Sequence, residues 1–362
     1  MCTGRNRLRI TNPLRIYELE IDFRNMIEHL FKEKYIIDLF KREVLPKFPG
    51  FSDIRNIEII PHKKFIWEKS YHVVVEFKTV FIEKNGKEKT VPIFCSAHSE
   101  EPRENIFKAL SYLWDNGFAD DIITIPRPLF YSKVFRGTFY RGVEGRNLYQ
   151  FIREGNKKEI EKIIPQAAVW FAKLHKLPVK GAENLNEANS RIRTVLPGRD
   201  HLLESIKESY PDYYTDYKTM YDIFITAEEE FLNREKRHWV IHGDAHPENI
   251  IKVSDNEIGA IDFTDMSVAD LARDLGCFLQ QLEYMAMRKI GDQEYTEKIK
   301  KLFLDNYVKN AKIEIDESLL KRIDIYYNWT AIRTATFFLL KVPAEFERAK
   351  ALIQQTVTNM KL

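Results

Sequence analysis

The spacing of apolar residues changes near Gly145 in this chain of 362 residues, and no other feature of the sequence constrains the fold as strongly. Upstream, residues 71–82 alternate between two faces, and residues 90–97 are also rich in β-branched and aromatic side chains, which is typical of strands. Asn85-Gly86 between them is a strong hairpin turn. Downstream, the apolar residues recur at helical spacing. The sequence therefore predicts a small sheet-rich lobe followed by a larger helical lobe.

The same patterns predict the remaining elements of both lobes. Three further strand-like runs, which complete an antiparallel sheet of about five strands, lie at residues 57–60, 129–134 and 138–143. Helices of the first lobe are expected at residues 23–44, within an N-terminal extension of about 50 residues, and at residues 102–116, where Gly117 is the C-terminal cap. Helices of the second lobe are expected at residues 159–177, 199–210 and 212–232, and a short β-rich insert at residues 239–262.

Composition excludes several other classes of protein. Hydrophobic residues make up 44% and charged residues 30% of the chain, which excludes a wholly disordered polymer. The formal net charge of +2 gives no general attraction to nucleic acid or anionic lipid, so neither is an expected partner. The three cysteines form no CxxC pair, and no apolar run reaches the roughly 18 residues of a membrane span. We expect a cytoplasmic protein with no signal peptide and no membrane association.

The residues that carry chemistry cluster in the β-rich insert. An apolar strand leads into His242-Gly243-Asp244, Asn249 stands five residues after the aspartate, and a second apolar strand ends at Asp262. A hairpin joins the ends of its two strands, so two carboxylates and one amide oxygen are expected to converge. Hard oxygen ligands of this kind suit Mg²⁺ carrying nucleotide phosphates, and the spare carboxylate of Asp244 can accept a proton from an attacking hydroxyl.

This pattern resembles the aminoglycoside phosphotransferase and choline kinase family, the small-molecule relatives of protein kinases. The family signature is His-Gly-Asp, four residues, Asn, and then Ile-Asp about a dozen residues later, and it is matched by His242-Gly243-Asp244, Asn249 and Ile261-Asp262. The resemblance implies an α+β, protein-kinase-like bilobal fold. Its antiparallel-sheet N-terminal lobe, residues 1–145, would bind the nucleotide, and its mainly helical lobe, residues 146–362, would hold the catalytic residues and the substrate.

The resemblance also implies roles for individual residues. Asp244 would be the catalytic base, and Asn249 and Asp262 would be the ligands of Mg²⁺. The helix residue Glu104 would pair with a phosphate-binding lysine, and main-chain groups of the connection between the lobes would contact adenine. The cofactor-binding residues implied in this way are Glu104, Gly142, Val143 and Glu144.

The third strand lacks the lysine that the family uses to bind phosphate, because residues 91–97 contain none. Four nearby lysines are alternatives, and the sequence does not choose among Lys63, Lys64, Lys78 and Lys89. No GxxxxGK[ST] motif occurs anywhere, which excludes a Walker-type loop. The missing lysine favours two alternative functions: a degenerate kinase-like protein that binds a nucleotide or metabolite without ordinary phosphotransfer, and a non-catalytic binding module.

Several residues near the motif have a structural as well as a functional interpretation. His242 and Asp274 are expected to brace the catalytic loop. Asp265 and Asp270 either attract a cationic acceptor or fill structural roles. An aromatic set on one helical segment either belongs to the core or forms a cation–π cage for a quaternary amine: Tyr326, Tyr327 and Trp329.

Taken together, these features predict an ATP- and Mg²⁺-dependent phosphotransferase, with GTP as the alternative donor. It would act on a hydroxyl of a small molecule that resembles an aminoglycoside, choline or a sugar. The sequence indicates neither the exact acceptor nor the oligomeric state.

Overall fold

The computed structural model describes residues 26–101, 103–119, 122–234 and 238–362. The first residues of the helix predicted at 23–44 lie outside these ranges. Its described part is a 3-10 turn at Glu28–Phe31 followed by helix α1 at Glu33–Glu43, which buries Ile36, Leu39 and Phe40. The helix ends shortly before Pro46, where a ring without an N–H interrupts the hydrogen-bonding pattern.

The N-terminal lobe is built on a five-stranded antiparallel sheet with the strand order β1-β2-β3-β6-β5. Its strands are β1 (Phe51–Ile66), β2 (Tyr71–Glu83), β3 (Glu88–His98), β5 (Arg127–Ser132) and β6 (Gly137–Arg141). The prediction of about five antiparallel strands is confirmed. Strand β1 is much longer than the four residues expected, because its polar residues continue to pair with β2 after the apolar pattern has ended.

The two faces of this sheet have different neighbours. On one face, alternate residues of β2 and β3 such as Val73, Val75 and Ile93 are fully buried, and α1 covers them, with the Phe40 ring 5.3 Å from the ring of Phe77. Residues in between point to the opposite face, because successive strand side chains alternate. That second face forms the roof of a cavity between the lobes.

Two hairpin turns of the sheet contrast in composition. The predicted turn at Asn85-Gly86 is confirmed: Gly86 has φ +83°, and the Asn85 side chain accepts a hydrogen bond of 2.8 Å from the Lys87 N–H. The β1–β2 turn contains no glycine and closes through a Trp67 N–H to Ser70 carbonyl bond of 2.8 Å. The N-terminal lobe therefore lacks a glycine-rich loop at this tip.

Helix α2 (Glu104–Leu113) follows the third strand, as predicted, and continues into a wider turn at Trp114–Phe118. Gly117, with φ +95°, ends the helical path there, which agrees with its expected capping role. Strand β4 (Ile123–Thr124) comes next, and it leaves the N-terminal sheet to pair with a strand of the second lobe.

The second lobe contains two small sheets beneath the connection between the lobes. One sheet has the order β4-β10-β9-β7, and the other pairs β11 with β8. Their strands are β7 (Arg146–Asn147), β8 (Trp239–Ile241), β9 (Ile250–Lys252), β10 (Ile258–Ala260) and β11 (Ser267–Ala269). Strand β4 lies before residue 145 in sequence but pairs with β10 of the second lobe. The predicted lobe boundary at residue 145 therefore stays a prediction.

Helices make up the rest of the second lobe, as the apolar spacing predicted. They are α3 (Leu148–Arg153), α4 (Lys157–Leu174), α5 (Arg199–Ser209), α6 (Tyr214–Arg234), α7 (Ala272–Lys289), α8 (Gln293–Ala311), α9 (Glu317–Leu340) and α10 (Phe346–Met360). None of these described helices combines the length and the apolar character that crossing a bilayer requires.

The buried apolar residues form two separate cores. The smaller core joins α1 to the five-stranded sheet. The larger core contains the helical lobe together with the buried side of α2, including Ile106, Leu110 and Leu113. Helix α2 is therefore attached by its apolar face to the second lobe, although it follows the sheet of the first lobe in sequence.

Candidate active site

Strand β8 delivers His242-Gly243-Asp244 into a tight loop. Gly243 has φ +83°, and a Cβ atom at this position would lie 2.2 Å from the carbonyl oxygen of Asp265. Only glycine combines this backbone conformation with so close an approach. The glycine of the motif is thus required by packing, and it brings the Asp244 backbone against the segment that carries Asp262.

A buried carboxylate on helix α7 braces this loop from below. Asp274 accepts hydrogen bonds from the N–H groups of His242 (2.7 Å) and Gly243 (2.9 Å) and contacts His175 Nε2 at 3.0 Å. His175 Nδ1 in turn lies 2.7 Å from the Tyr307 hydroxyl. Burial raises the pKa of the Asp274 carboxyl, but the His175 and Gly243 hydrogen bonds and the nearby imidazoles outweigh it and lower the pKa overall. The bracing role expected of Asp274 agrees with these contacts.

His242 ties the two halves of the site together. Its Nδ1 accepts a 3.3 Å hydrogen bond from the Asp244 N–H, so Nε2 carries the proton and donates to the Ile261 carbonyl at 2.9 Å. Ile261 immediately precedes Asp262. The imidazole therefore fixes the spacing between the loop of Asp244 and the strand that ends at Asp262, which is the bracing role expected from the sequence.

Asn249 and Asp262 meet at the end of the β9–β10 ribbon. Asn249 immediately precedes β9, and its carbonyl accepts a 3.0 Å hydrogen bond from the Ile261 N–H. The Asn249 amide donates through Nδ2 to the Asp244 carbonyl at 3.0 Å, which leaves Oδ1 as its oxygen for a cation. Asp262 is exposed and has φ +63°, an uncommon conformation for a non-glycine residue that often marks functional sites. The backbone bond places the two residues at the same end of the ribbon, and the convergence of their side chains on one ion stays a prediction.

The donor set at this point consists of oxygen atoms, which fits Mg²⁺. Asp262 Oδ1 accepts a 2.8 Å hydrogen bond from the Thr264 hydroxyl, and Asp262 lines the cavity between the lobes. Within the described ranges, no group of three or more His, Cys, Asp and Glu side chains is arranged to hold a metal. A cation here would have one carboxylate and one amide as protein ligands, with the rest of its shell supplied by phosphate and water.

Asp244 is partly exposed and carries a stable negative charge. His246 Nδ1 accepts from the Glu248 N–H at 3.2 Å, so its Nε2 carries a proton toward Asp244 Oδ2, 3.5 Å away. Burial acts to raise the pKa of Asp244, but His246, Arg333 and His242 outweigh it and hold the pKa well below the usual range. Burial likewise acts to lower the pKa of His246, and Asp244 raises it overall.

The cavity between the lobes has a volume of about 590 Å³, and Asp244 and Asp262 form part of its floor. Ser96 lies on its roof and belongs to β3, the strand on which the lysine was expected. Of the four alternative lysines, Lys63 lies on this cavity. Lys78 is not among the lining residues and lies 3.7 Å from Glu58.

The other two alternative lysines have different surroundings. Lys64 lies over the Phe31 ring, 4.0 Å from its centroid, and Lys89 lines a separate groove on the other side of the connection between the lobes. Of the four, the arrangement favours Lys63 as a phosphate ligand.

The residue just before α2 is an arginine that lines the cavity, and the first residue of the helix is a glutamate that does not. Arg103 is 7% exposed, lines the cavity, and its Nε has no hydrogen-bond partner among the described residues. Glu104 is exposed and lies 3.3 Å from Lys108. Glu104 was expected to pair with a phosphate-binding lysine, and it is not among the residues that line the cavity. Sequence reasoning missed Arg103, although it directly precedes Glu104.

Two cations line the cavity roof near β2, Lys63 and Arg103, and Arg103 Nη1 lies 3.3 Å from Glu101. Burial, followed by the charges of Lys63 and Arg103, lowers the pKa of His72 on β2 to about 4. Because His72 is then neutral at pH 7, the positive charge at this end comes from Lys63 and Arg103. An anion in the cavity would meet both cations.

The connection between the lobes lines the opposite end of the cavity through Gly142 and Val143. The Gly142 N–H is already bonded to the Pro92 carbonyl at 3.0 Å, so its carbonyl is the group left for a ligand. A Cβ at Gly142 would lie 2.4 Å from the Phe94 ring, which explains the glycine. Glu144, predicted to contact the cofactor, lines the smaller neighbouring groove and not the cavity itself.

A second cavity of about 560 Å³ lies within the helical lobe, between α7, α9 and α10. Asp244 lines both this cavity and the cavity between the lobes. His246, Gln281 and Arg333 also line the second cavity. Sequence reasoning missed Arg333, because one arginine within a long helix gives no signal of the face it occupies.

A family profile identifies the chain. The profile of APH, the phosphotransferase enzyme family, matches residues 72–307, which include the whole motif from His242 to Asp262. The chain belongs to this family. The predictions of family membership and of a phosphotransferase are confirmed, whereas the roles assigned to individual site residues stay predictions. A search of curated proteins gave no match.

Solved structures show the same fold. A spectinomycin phosphotransferase, APH(9)-Ia, in complex with ADP and spectinomycin has a TM-score of 0.55 at 12% identity, covering 91% of this chain and 99% of its own. Choline kinase LicA from Streptococcus pneumoniae has a TM-score of 0.53 at 13% identity, with 90% and 99% covered. An ethanolamine kinase from Plasmodium vivax has a TM-score of 0.51 at 17% identity, with 83% and 81% covered. The predicted protein-kinase-like α+β fold is confirmed.

Proposed function

We propose that this phosphotransferase moves the terminal phosphate of ATP, with GTP as the alternative donor, to a hydroxyl of a small molecule in a Mg²⁺-dependent reaction. The observation that supports this most directly is the position of Asp244 on the walls of two cavities. One cavity lies between the lobes and would hold the nucleotide, and the other lies in the helical lobe and would hold the acceptor. A carboxylate at their junction lies where phosphate and hydroxyl must meet.

In the proposed reaction, the acceptor oxygen forms a bond to the γ-phosphorus while the bond from that phosphorus to the bridging oxygen of the leaving diphosphate breaks. The hydroxyl proton passes to Asp244 Oδ and then to solvent. Because the pKa of Asp244 is depressed, its carboxylate is a weak base and accepts the proton late, when the new bond is largely formed. Its main contribution is then to orient the hydroxyl, with His246 fixing the carboxylate in turn.

Asn249 Oδ1 and Asp262 would hold Mg²⁺. The bound ion would neutralise charge on the phosphates. These two residues contribute by holding their oxygens in place: Asn249 through its bond to the Asp244 carbonyl, and Asp262 through its bond from Thr264.

The proposed nucleotide contacts replace the missing lysine with two cations. Lys63 and Arg103 line the same end of the cavity, and the unpartnered Nε of Arg103 is a donor without an acceptor. At the other end, the Gly142 carbonyl and the main chain of Val143 would contact the base. Glu144 lines the neighbouring groove and Glu104 pairs with Lys108, so neither belongs to the proposed set of nucleotide-binding residues.

The test separates proton handling from metal binding. Asp244→Asn should lower the phosphotransfer rate by roughly 10²–10⁴-fold, because it removes the group that orients the hydroxyl, and should leave Mg-ATP affinity largely intact. Asn249→Ala and Asp262→Ala should weaken Mg-ATP binding, because each removes an oxygen ligand. Calorimetric Mg-ATP affinity and turnover, measured as ADP released with an acceptor panel, check both.

Asp255→Asn is the matched control, because Asp255 lies in the same β9–β10 hairpin and pairs only at the surface with Lys252. It should change neither quantity. Normal turnover in Asp244→Asn would contradict the proposed function. Loss of Mg-ATP binding in that variant would instead make Asp244 a metal ligand and reverse the assigned roles.

A further inference from the structure

The cavity in the helical lobe is lined by more cations than anions. Its basic residues come from the end of α7, from α9 and the residue after it, and from α10: Arg288, Lys289, Arg333, Lys341 and Arg348. Its acidic residues are Asp244 and Glu248. Aromatic side chains form part of the remaining wall, among them Tyr149 and Phe338. A cavity of this size takes a small molecule with an apolar or sugar-like body and a few polar groups.

Two of the five cations share one carboxylate within the protein. Lys341 and Arg348 both pair with Glu345, whose pKa their hydrogen bonds lower to about 2. Arg288, Lys289 and Arg333 form no ion pair with any residue in the described ranges. Lys289 and Arg288 stand in the last turn of α7, where cations also complement the helix dipole, so they alone would not indicate a ligand.

Arg333 has no such explanation. It lies in the interior of α9, partly exposed in the cavity wall, with its guanidinium 4.8 Å from the centre of the Trp329 ring. This stacking holds the side chain in one place and leaves its donors without a carboxylate partner. Arg333 and Asp244 line the same cavity.

The aromatic set and Asp270, which could have bound a cationic acceptor, have other contacts in the structure. Trp329 and Tyr326 are 1% exposed, and the buried Arg273 lies 5.1 Å from the Trp329 ring centre, so these two rings belong to the core. Tyr327 lines a different groove, and none of the three lines this cavity. Asp270 is buried and paired with Arg322. The carboxylates that line the cavity are Asp244 and Glu248, against five basic side chains.

We propose that the acceptor carries an anionic group, a carboxylate or a phosphate, which Arg333 binds together with Arg288 while the acceptor hydroxyl lies at Asp244. This inference rests on the proposed function, because it takes the helical-lobe cavity as the acceptor site. It separates this chain from a choline or ethanolamine kinase, whose acceptors are cations. Guanidinium groups bind carboxylate and phosphate through paired hydrogen bonds, so Arg333 would fix the distance from anion to hydroxyl.

The experiment measures binding of four hexose derivatives to the full chain saturated with Mg-ADP: gluconate, a hexose phosphate, glucose and glucosamine. These probes share a polyol body and differ in charge. We expect at least one of the two anionic probes to bind tenfold or more tightly than glucose, and glucosamine to bind no better than glucose. Tighter binding of gluconate would identify the anionic group of the acceptor as a carboxylate, and tighter binding of the hexose phosphate would identify it as a phosphate.

Arg333→Gln should remove the tenfold preference. Arg333→Lys should retain part of it, because lysine keeps the positive charge but cannot form the paired hydrogen bonds of a guanidinium. Arg193→Gln is the matched control: Arg193 pairs with Glu229 on the surface, far from the lining residues of the cavity, and its loss should leave the preference intact. Thermal unfolding of each variant shows that it is folded.

The inference is overturned if glucosamine binds as tightly as the anionic probes, if neither anion binds better than glucose, or if the preference survives Arg333→Gln. Failure of the proposed function looks different. In that case Asp244→Asn keeps full phosphotransfer activity, whatever the charge of the probe that binds.

Discussion

At the scale of single residues, Gly86 and Gly243 have the same backbone conformation and opposite surroundings. Both have φ +83°. A Cβ at Gly86 would meet nothing within 4 Å, whereas a Cβ at Gly243 would lie 2.2 Å from the carbonyl oxygen of Asp265. The comparison separates the cost of a left-handed backbone from the cost of a steric clash beside the candidate active site.

Gly86→Ala should lower the free energy of unfolding by about 1 kcal/mol, which is the usual cost of placing a Cβ in the left-handed region. Gly243→Ala should lower it by roughly 3 kcal/mol, because the clash adds to that cost, and should also displace Asp244 and reduce turnover. Urea unfolding monitored by circular dichroism gives both free energies. Equal losses in the two variants would mean that the loop relaxes at no cost and that Gly243 is not held by packing.

At the scale of elements, the orientation of α2 decides which charge enters the nucleotide cavity. Arg103, just before the helix, is anchored there by two main-chain contacts: its N–H donates to the Arg136 carbonyl at 3.2 Å, and its carbonyl accepts from the Thr138 hydroxyl. The apolar face of the helix points toward the larger core, so Glu104 is turned to solvent.

Arg103→Gln should weaken Mg-ATP binding about tenfold, because it removes a charge-assisted contact to phosphate. Glu104→Gln, the neighbouring variant, should leave the dissociation constant unchanged, since its carboxylate meets only Lys108 at the surface. Isothermal titration calorimetry of both variants is the measurement. If Glu104→Gln weakens binding and Arg103→Gln does not, the role assigned by family resemblance is right and the assignment from geometry is wrong.

The same helix illustrates what the sequence could and could not predict. The existence of α2, of the Asn85-Gly86 turn and of the five-stranded sheet follows from local periodicity and turn chemistry, and the structure contains all three. Which residue of the Arg103-Glu104 pair enters the cavity depends on a rotation of the helix, which its packing on the distant C-terminal lobe sets. Lys63 could not be chosen over Lys78 for a similar reason: a bulge in β1 between Pro61 and Lys63 shifts the register there.

At the scale of the whole molecule, two apolar cores share one chain. The sheet with α1 has its own core, and α2 belongs with the helical lobe. Apart from the covalent connections, the walls of the interlobe cavity are where the two bodies face each other. A nucleotide bound there would therefore contact both bodies and stabilise the sheet against local opening.

Hydrogen exchange should report this coupling. Saturation with Mg-ADP at about 100 times its dissociation constant should slow exchange in β1, β2 and β3 by up to about 100-fold, the equivalent of about 2.7 kcal/mol. Helix α8, whose residues do not line the cavity, is the internal control and should change much less. Equal slowing in α8 and the sheet would show that the two cores open as a single cooperative unit.

The position of Asp244 on two cavity walls also bears on the path of the phosphorus atom. Under the proposed function, the donor enters from one side of this carboxylate and the acceptor from the other, so the phosphate passes directly between them. A single in-line displacement inverts the configuration at phosphorus. The protein would then never carry the phosphate itself, and neither product could form before both substrates were bound.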